Sequence, residues 1–188
     1  DPPASFTPLL GRVSELQSSR RSPGDDCLKT LAIIGYSGSG KTTLLCALLP
    51  LLREAGLRVA AITATHHDVR WDEPGKDSWR LQQAGGEPTL LVGPNRWYLS
   101  RAAAPGDWQA MLETLHPVPD LVLSEGNQDW PIPRLLVHRA AMGRELRWRA
   151  GEEVLAVASD IPLEIGVPCL DLNDPLAIAR FLLHWYGE

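Results

Sequence analysis

Cysteine is scarce: Cys27, Cys46 and Cys169 are the only three in 188 residues. They are odd in number and far apart, which excludes a disulfide framework and gives no metal-ligand spacing. Cys46 falls inside a helix-compatible stretch and reads as a small buried hydrophobe. Thiols left reduced point to the cytoplasm. No apolar run approaches the ~20 residues that cross a bilayer, so no membrane role is expected. Basic charge is short as well. With 18 Lys and Arg against 23 Asp and Glu, the formal net charge is -5, which argues against a nucleic-acid partner gripped through its phosphates. There is no internal repeat and no Asn-Lys-x-Asp guanine signature. The chain opens on Asp1 instead of Met, as a fragment or processed form does, and its first residues lack the charged and apolar stretches of a secretory signal.

What is present is a complete phosphate-binding loop. Gly35, Tyr36, Ser37, Gly38, Ser39, Gly40, Lys41, Thr42 and Thr43 satisfy G-x-x-x-x-G-K-[ST]. The apolar run 31–34 precedes the loop and a helix-compatible run, 44–54, follows it. That strand–loop–helix context is what the motif requires. The glycines permit backbone turns that side chains forbid. The N–H groups of the loop then point at phosphate oxygens, helped by the positive end of the following helix. Lys41 is expected to bridge the outer phosphates, and Thr42 to place its hydroxyl on Mg²⁺.

Residues 1–26 are rich in Pro, Ser and Arg and read as a flexible tail or linker. Residues 27–188 are enough for one nucleotide-binding domain with its own core. Strands are expected at 31–34, 57–63, 120–124, 135–138 and 154–158, with a hairpin pairing 89–92 and 97–100. Helices are expected at 42–55, kinked by Pro50 and stopped by Gly56, then at 78–84, 107–115 and 174–185. Asp174 caps the last of these and Pro175 fills its first turn. Strands alternating with helices give an α/β fold: a three-layer P-loop NTPase arrangement with a mostly parallel sheet flanked by helices.

Ligands of such sheets bind beyond the carboxyl ends of the strands, so the residues there are the candidates. Glu125 and Gly126 follow the run 120–124. The carboxylate suits Mg²⁺, directly or through water, and Gly126 allows close approach to a phosphate; the alternative is a solvated turn. His66, His67 and Asp68 follow the run 57–63. Adjacent histidines on an extended segment face opposite ways, so a shared metal ion is not expected. Asp68 is a candidate to assist Mg²⁺ or orient water, and one histidine to touch phosphate; a loop of capping residues is the equal alternative. Asp160 offers two coplanar acceptors suited to the ring N–H and amino group of guanine. Arg144, Arg147 and Arg149, around Trp148, read as the exposed face of a strand or hairpin, with a phosphate clamp as the second reading. Trp71, Trp97 and Trp130 are expected in core or half-buried places.

Several of these segments resemble one known family. Thr65, His66, His67 and Asp68, then Pro74, Gly75, Lys76, Asp77 and Ser78, then Glu125 and Gly126, and finally Val157, Ala158, Ser159 and Asp160 resemble motifs of the molybdopterin-guanine dinucleotide biosynthesis protein B (MobB) family. The resemblance runs from about Leu31 to the C-terminus. It implies a GTP-binding adaptor with weak GTPase activity, using GTP and Mg²⁺. It also implies a homodimer that associates with the molybdopterin guanylyltransferase without being that enzyme. On this reading Lys41, Asp68 and Glu125 serve hydrolysis, Thr42 and Glu125 hold Mg²⁺, and Lys76 reaches phosphate or an acidic partner.

Two other classes share the loop. A small-molecule kinase would need an acceptor pocket and a basic lid, for which the cluster from Arg144 to Arg149 is the one source. A nucleotide-binding protein without catalysis is the other. The chain shows no Gln or Arg finger near the loop, which suits slow turnover. It also departs from the family pattern. Thr63 and Ala64 stand where the family commonly has Lys-His, and Asn127 and Gln128 where it has an aromatic residue and Lys. Hydrogen bonds to charged groups are worth about 1.5–3 kcal/mol each. Weaker nucleotide affinity or slower hydrolysis than in typical relatives is therefore expected; a nucleotide titration and turnover assay giving ordinary values for both would refute this.

Overall fold

The apolar runs of the sequence become parallel strands, with alternate side chains directed to opposite faces of one sheet. The computed structural model of the chain describes residues 28–65, 67, 72–102, 106–149 and 151–188. The proposed tail, Cys27, His66, Asp68 and Trp71 lie outside those residues. The chain forms two compact units, residues 28–64 with 115–188, and Thr65–Thr114.

In the first unit, β1 (Lys29–Ile34) leads through the loop into α1 (Lys41–Glu54), followed by β2 (Val59–Thr63). The second unit contributes α2 (Asp77–Gln83), β3 (Thr89–Val92), β4 (Trp97–Ser100) and α3 (Trp108–Glu113). The chain then returns to the first unit with β5 (Leu121–Glu125), β6 (Arg134–His138), β7 (Val154–Ser159), β8 (Cys169–Asp171) and α4 (Pro175–Gly187). The six strands of the first unit are parallel in the order β2-β5-β1-β6-β7-β8. β1 therefore has β5 on one side and β6 on the other.

Register brings the strand ends level. Glu125 lies opposite both Ile33 of β1 and Thr63 of β2. Two further bonds carry the pairing past the strands, Gly126 N–H to the Ile33 carbonyl (3.2 Å) and Ala64 N–H to the Glu125 carbonyl (3.0 Å).

Leu31 and Ile33 of β1, Leu121 and Leu123 of β5, and Leu135 and Val137 of β6 form one buried cluster. Leu44, Leu45, Leu48 and Leu52 of α1 pack into it, with Ile178, Ala179, Leu182 and Leu183 of α4. The spacing of the α1 leucines is a single helical stripe. Residue 46 lies about 200° around the helix from both 44 and 48, so Cys46 is exposed and not buried as the sequence suggested. The helix runs through Pro50 without interruption, and that residue is exposed. Gly56, at φ 94°, ends the helix: its N–H bonds the Arg53 carbonyl and the Leu57 N–H bonds the Leu52 carbonyl, the paired pattern of a left-handed terminus. At α4 the Asp174 carboxylate accepts from Ala177 N–H (3.0 Å), the expected cap.

Other elements depart from expectation. β8 is an additional edge strand. The segment 144–149 has neither strand nor hairpin, and a short 3-10 turn, Ala140–Met142, precedes it. Asp107 precedes α3 but makes no side-chain cap bond.

In the second unit, β3 and β4 pair antiparallel, with Val92 opposite Trp97 and a Gly93 N–H bond to the Arg96 carbonyl closing the turn (2.8 Å). Trp97 is 59% exposed, which corrects the core placement; Trp130, in the first unit, is half-buried as expected. No helix among the described residues is long and apolar enough to cross a membrane.

Burial separates two neighbouring α1 positions. Leu48→Ala is expected to cost about 2–5 kcal/mol through lost transfer energy and a residual cavity. Cys46→Ala is expected to stay within about 0.5 kcal/mol. Urea unfolding of both variants checks the pair; equal losses would mean that the stripe is misassigned.

Candidate functional site

The loop between β1 and α1 owes its shape to three glycines. Gly38 and Gly40 sit at φ 82° and 98°, in the left-handed region that side chains avoid. Gly35 is held by space instead: a Cβ there would come within 2.5 Å of the Val137 carbonyl oxygen and 2.7 Å of Ser39 Oγ. Ser39 is buried against the sheet, while Ser37, Gly38, Thr42 and Thr43 are exposed. Ser39 N–H closes the turn on the Tyr36 carbonyl (3.1 Å), and Leu44 N–H makes the first helical bond to the Gly40 carbonyl (2.8 Å). The N–H groups at the start of α1 precede that bond and have no helical acceptor. Ser37, Gly38, Gly40, Lys41, Thr42, Thr43 and Glu125 line a concavity of about 250 Å³ above this turn.

Three charged or polar side chains meet at its β5 side. Thr42 Oγ1 donates to the Glu125 carboxylate, 2.9 Å from Oε1 and 2.8 Å from Oε2. Lys41 Nζ donates to the Tyr36 carbonyl (3.0 Å) and stands 3.8 Å from Glu125 Oε1. The ammonium and carboxylate are both mostly shielded, at 13% and 17% side-chain exposure, so their attraction is screened less than at an open surface. The hydroxyl and carboxylate are hard oxygen donors. Neighbouring ligands of an octahedral Mg²⁺ with bonds of about 2.0–2.1 Å lie about 2.9 Å apart, close to the observed spacing. These two oxygen donors would fit a Mg²⁺ ion. Gly126, at φ 85°, turns the chain away immediately afterwards, and Asn127, at φ 53°, is steadied by its Nδ2 donating to Ser124 Oγ (2.6 Å).

The β6 side of the loop holds groups that sequence reasoning missed. Arg139, which follows β6, donates from Nε to the Ser39 carbonyl (3.4 Å) and pairs through Nη1 with Asp160 Oδ2 (3.8 Å). An arginine therefore does lie at the loop, contrary to the sequence expectation. Its only advance signal was position, one residue past a strand beside the loop strand. Asp160 is at the end of β7, as expected, but its carboxylate is engaged inside the protein: Oδ1 accepts from Ala140 N–H (2.8 Å) while Oδ2 faces Arg139.

The basic cluster is also placed differently from its favoured reading. The guanidinium carbons of Arg144 and Arg147 lie 4.9 and 5.7 Å from the centroid of the Tyr36 ring, within cation–π range. Arg147 also donates to Gln128 Oε1. The segment 144–149 is therefore anchored on the phosphate-binding loop. Buried Arg134 reinforces the neighbouring turn, donating to the Gln128 and Trp130 carbonyls (2.6 and 3.3 Å) and facing Glu152 (3.7 Å).

Not every candidate belongs to the unit that carries the loop. His67 belongs to the second unit, where it is exposed and its N–H donates to Thr65 Oγ1 (3.1 Å). Lys76, in the same unit, is exposed and pairs with Glu73 (3.8 Å). His66 and Asp68 fall outside the described residues. No cluster of three or more His, Cys, Asp or Glu suited to a metal occurs among the described residues. A larger cavity, about 550 Å³, opens between the C-terminus of α1 and the amino end of β2, lined by Arg53, Arg58 and His116 among others. It is at the wrong end of the strands for a ligand on the loop.

Comparison with known proteins points one way. The family model for molybdopterin guanine dinucleotide synthesis protein B matches residues 30–160. The chain is 41% identical over 157 residues to the molybdopterin-guanine dinucleotide biosynthesis adapter protein of Haemophilus influenzae, spanning 82% of this chain and 88% of that one. It is 37% identical over 168 residues to the adapter protein of the same description from Escherichia coli, spanning 86% and 95%. A crystal structure of molybdopterin-guanine biosynthesis protein B superposes with a TM-score of 0.66 at 28% identity, covering 85% of this chain and 99% of that one. Bacillus subtilis MobB gives 0.59 at 23% identity, covering 82% and 96%, which speaks for the fold alone. The parallel α/β sheet is thus the P-loop NTPase-like fold of these structures, and the chain belongs to the MobB family of molybdopterin-guanine dinucleotide biosynthesis proteins.

Proposed function

We propose that the chain is a GTP-binding adaptor of molybdopterin guanine dinucleotide synthesis, a slow GTPase that assists the guanylyltransferase of that pathway. Family membership supports the pathway. The observation that carries the nucleotide is the convergence of Lys41, Thr42 and Glu125 on a cradle shaped by Gly38 and Gly40. The loop N–H groups and the Lys41 ammonium hold anionic oxygens in place before reaction. Thr42 and Glu125 would hold Mg²⁺, which neutralises charge on the outer phosphates when bound. Turnover is slow on this reading because the described cradle contains no carboxylate or amide positioned to orient water apart from Glu125, which already faces Thr42 and Lys41.

The placement of Arg144 and Arg147 beside Tyr36 favours the kinase reading to the extent that a lid requires cations near the loop. That reading also requires an acceptor pocket, and among the described residues the concavity at the loop is lined by the cradle and Glu125. The adaptor reading therefore stands first.

A homodimer is part of the same proposal. The β3–β4 hairpin exposes Leu90, Leu91, Val92, Trp97, Tyr98 and Leu99, at 39–73%. A two-stranded sheet with such apolar faces is marginal alone and is stabilised by further pairing or packing.

Two measurements test these points. Competitive titration of GTP and ATP, with and without Mg²⁺, is expected to show Mg²⁺-dependent binding that favours GTP. Lys41→Ala is expected to weaken it at least tenfold and to abolish single-turnover hydrolysis. Binding that ignores both Lys41 and Mg²⁺ would sink the nucleotide reading, and equal hydrolysis in both proteins would leave a binder without catalysis. Separately, Val92→Lys with Trp97→Lys is expected to convert a dimer to a monomer by sedimentation analysis; an unchanged mass would move the contact elsewhere.

A further inference from the structure

The Lys41, Thr42 and Glu125 side chains mark where the outer phosphates and Mg²⁺ would sit, and they lie toward β5. β6 flanks β1 on the opposite side. A triphosphate with its metal end near β5 leaves its nucleoside the side of β6 and β7, where Arg139 and Asp160 stand. The Arg139 guanidinium is held on two of its edges: Nε faces the Ser39 carbonyl (3.4 Å) and Nη1 faces Asp160 Oδ2 (3.8 Å). A planar cation held by its edges keeps its flat face for stacking. That side chain is 37% exposed, so part of it is accessible to a ligand. Asp160 cannot present two free acceptors to a base while Oδ1 accepts from Ala140 N–H (2.8 Å) and Oδ2 faces Arg139.

We propose that Arg139 is the stacking platform for the nucleobase, and that Asp160 is the positioning residue that holds its plane, not the reader of guanine. This rests on the nucleotide reading above. Stacking on a π-face tolerates either purine, so guanine preference must come from elsewhere in the chain.

The test uses the full chain and three probes, each with Mg²⁺: GTP, ATP and inorganic tripolyphosphate. Arg139→Ala is expected to weaken GTP and ATP alike, by about tenfold, and to leave tripolyphosphate within about twofold. Arg139→Lys, a cation without a plane, is expected to behave like the Ala variant. Asp160→Asn is expected to show the same split at smaller size, with an unchanged GTP-to-ATP ratio. Unaltered urea midpoints for these variants separate the effect from misfolding. Equal loss of tripolyphosphate would make Arg139 a phosphate ligand and overturn the proposal. So would unchanged GTP binding in Arg139→Ala, or an Asp160→Asn variant that loses discrimination between GTP and ATP. Lys41→Ala distinguishes the two levels: wild-type binding that this variant leaves intact defeats the phosphate-loop reading itself, whereas loss of all three probes in Lys41→Ala with Arg139→Ala silent defeats only the stacking platform.

Discussion

The register between β1 and β5 is the constraint on which the site depends. Ile33 lies opposite Glu125, and the ladder continues into Gly126 N–H on the Ile33 carbonyl. Side chains alternate faces along a strand, so a slip of one residue would send the Glu125 carboxylate to the opposite face and exchange Leu121 and Leu123 with Val122 and Ser124 between two buried faces packed for different side chains. The buried leucines therefore fix the carboxylate's place through their own packing. The same core fixes the other partner. α1 is rotated so that Leu44, Leu45, Leu48 and Leu52 face the sheet, and that rotation brings Thr42 within 2.9 Å of both carboxylate oxygens. A polar contact at the surface is thus the joint consequence of two apolar alignments beneath it.

Where one physical signal dominated, the sequence was easy to read. Continuous apolar runs marked β1, β5, β6 and β7 because strands buried on both faces need no polar alternation. The Gly93, Pro94 and Asn95 turn delimited both strands of the hairpin at their observed bounds. Gly56 ended α1 and Asp174 capped α4 because each has a local backbone role that few other residues can fill. Glu125 could be found because the fold places ligands at strand ends, a rule of topology that needs no knowledge of contacts. What the residues alone left unresolved was set by partners distant in sequence. Arg139 reaches a carbonyl 100 positions away, and Arg144 and Arg147 settle on Tyr36 of the loop. Their alternating pattern mimicked a strand, yet the pairing partner that a strand requires is not there. β8 has only three residues, too short for periodicity to register.

Charge illustrates the same gap between composition and geometry. A net charge of -5 describes the whole surface, whereas the loop has Lys41, Arg139, Arg144 and Arg147 around it. Bulk acidity and a locally positive cradle coexist because the field at a concave site is set by the nearest few groups, the rest being screened within about 8–10 Å.

This local supply of cations bears on what the two replaced family lysines mean. Gln128 stands at one of those positions, and its Oε1 accepts from Arg147. A cation is thus restored near the place from which the family's lysine is missing, but in a different mechanical state. Arg147 is held by Gln128 and by the Tyr36 ring, and Arg139 by Ser39 and Asp160. A charge fixed before binding accelerates the chemical step only where it is aimed at charge that develops in the transition state; elsewhere it improves affinity alone. Of the two consequences expected from the missing lysines, weak affinity or slow turnover, the nearby arginines bear directly on the first, because a cation near bound phosphates attracts them wherever it is aimed.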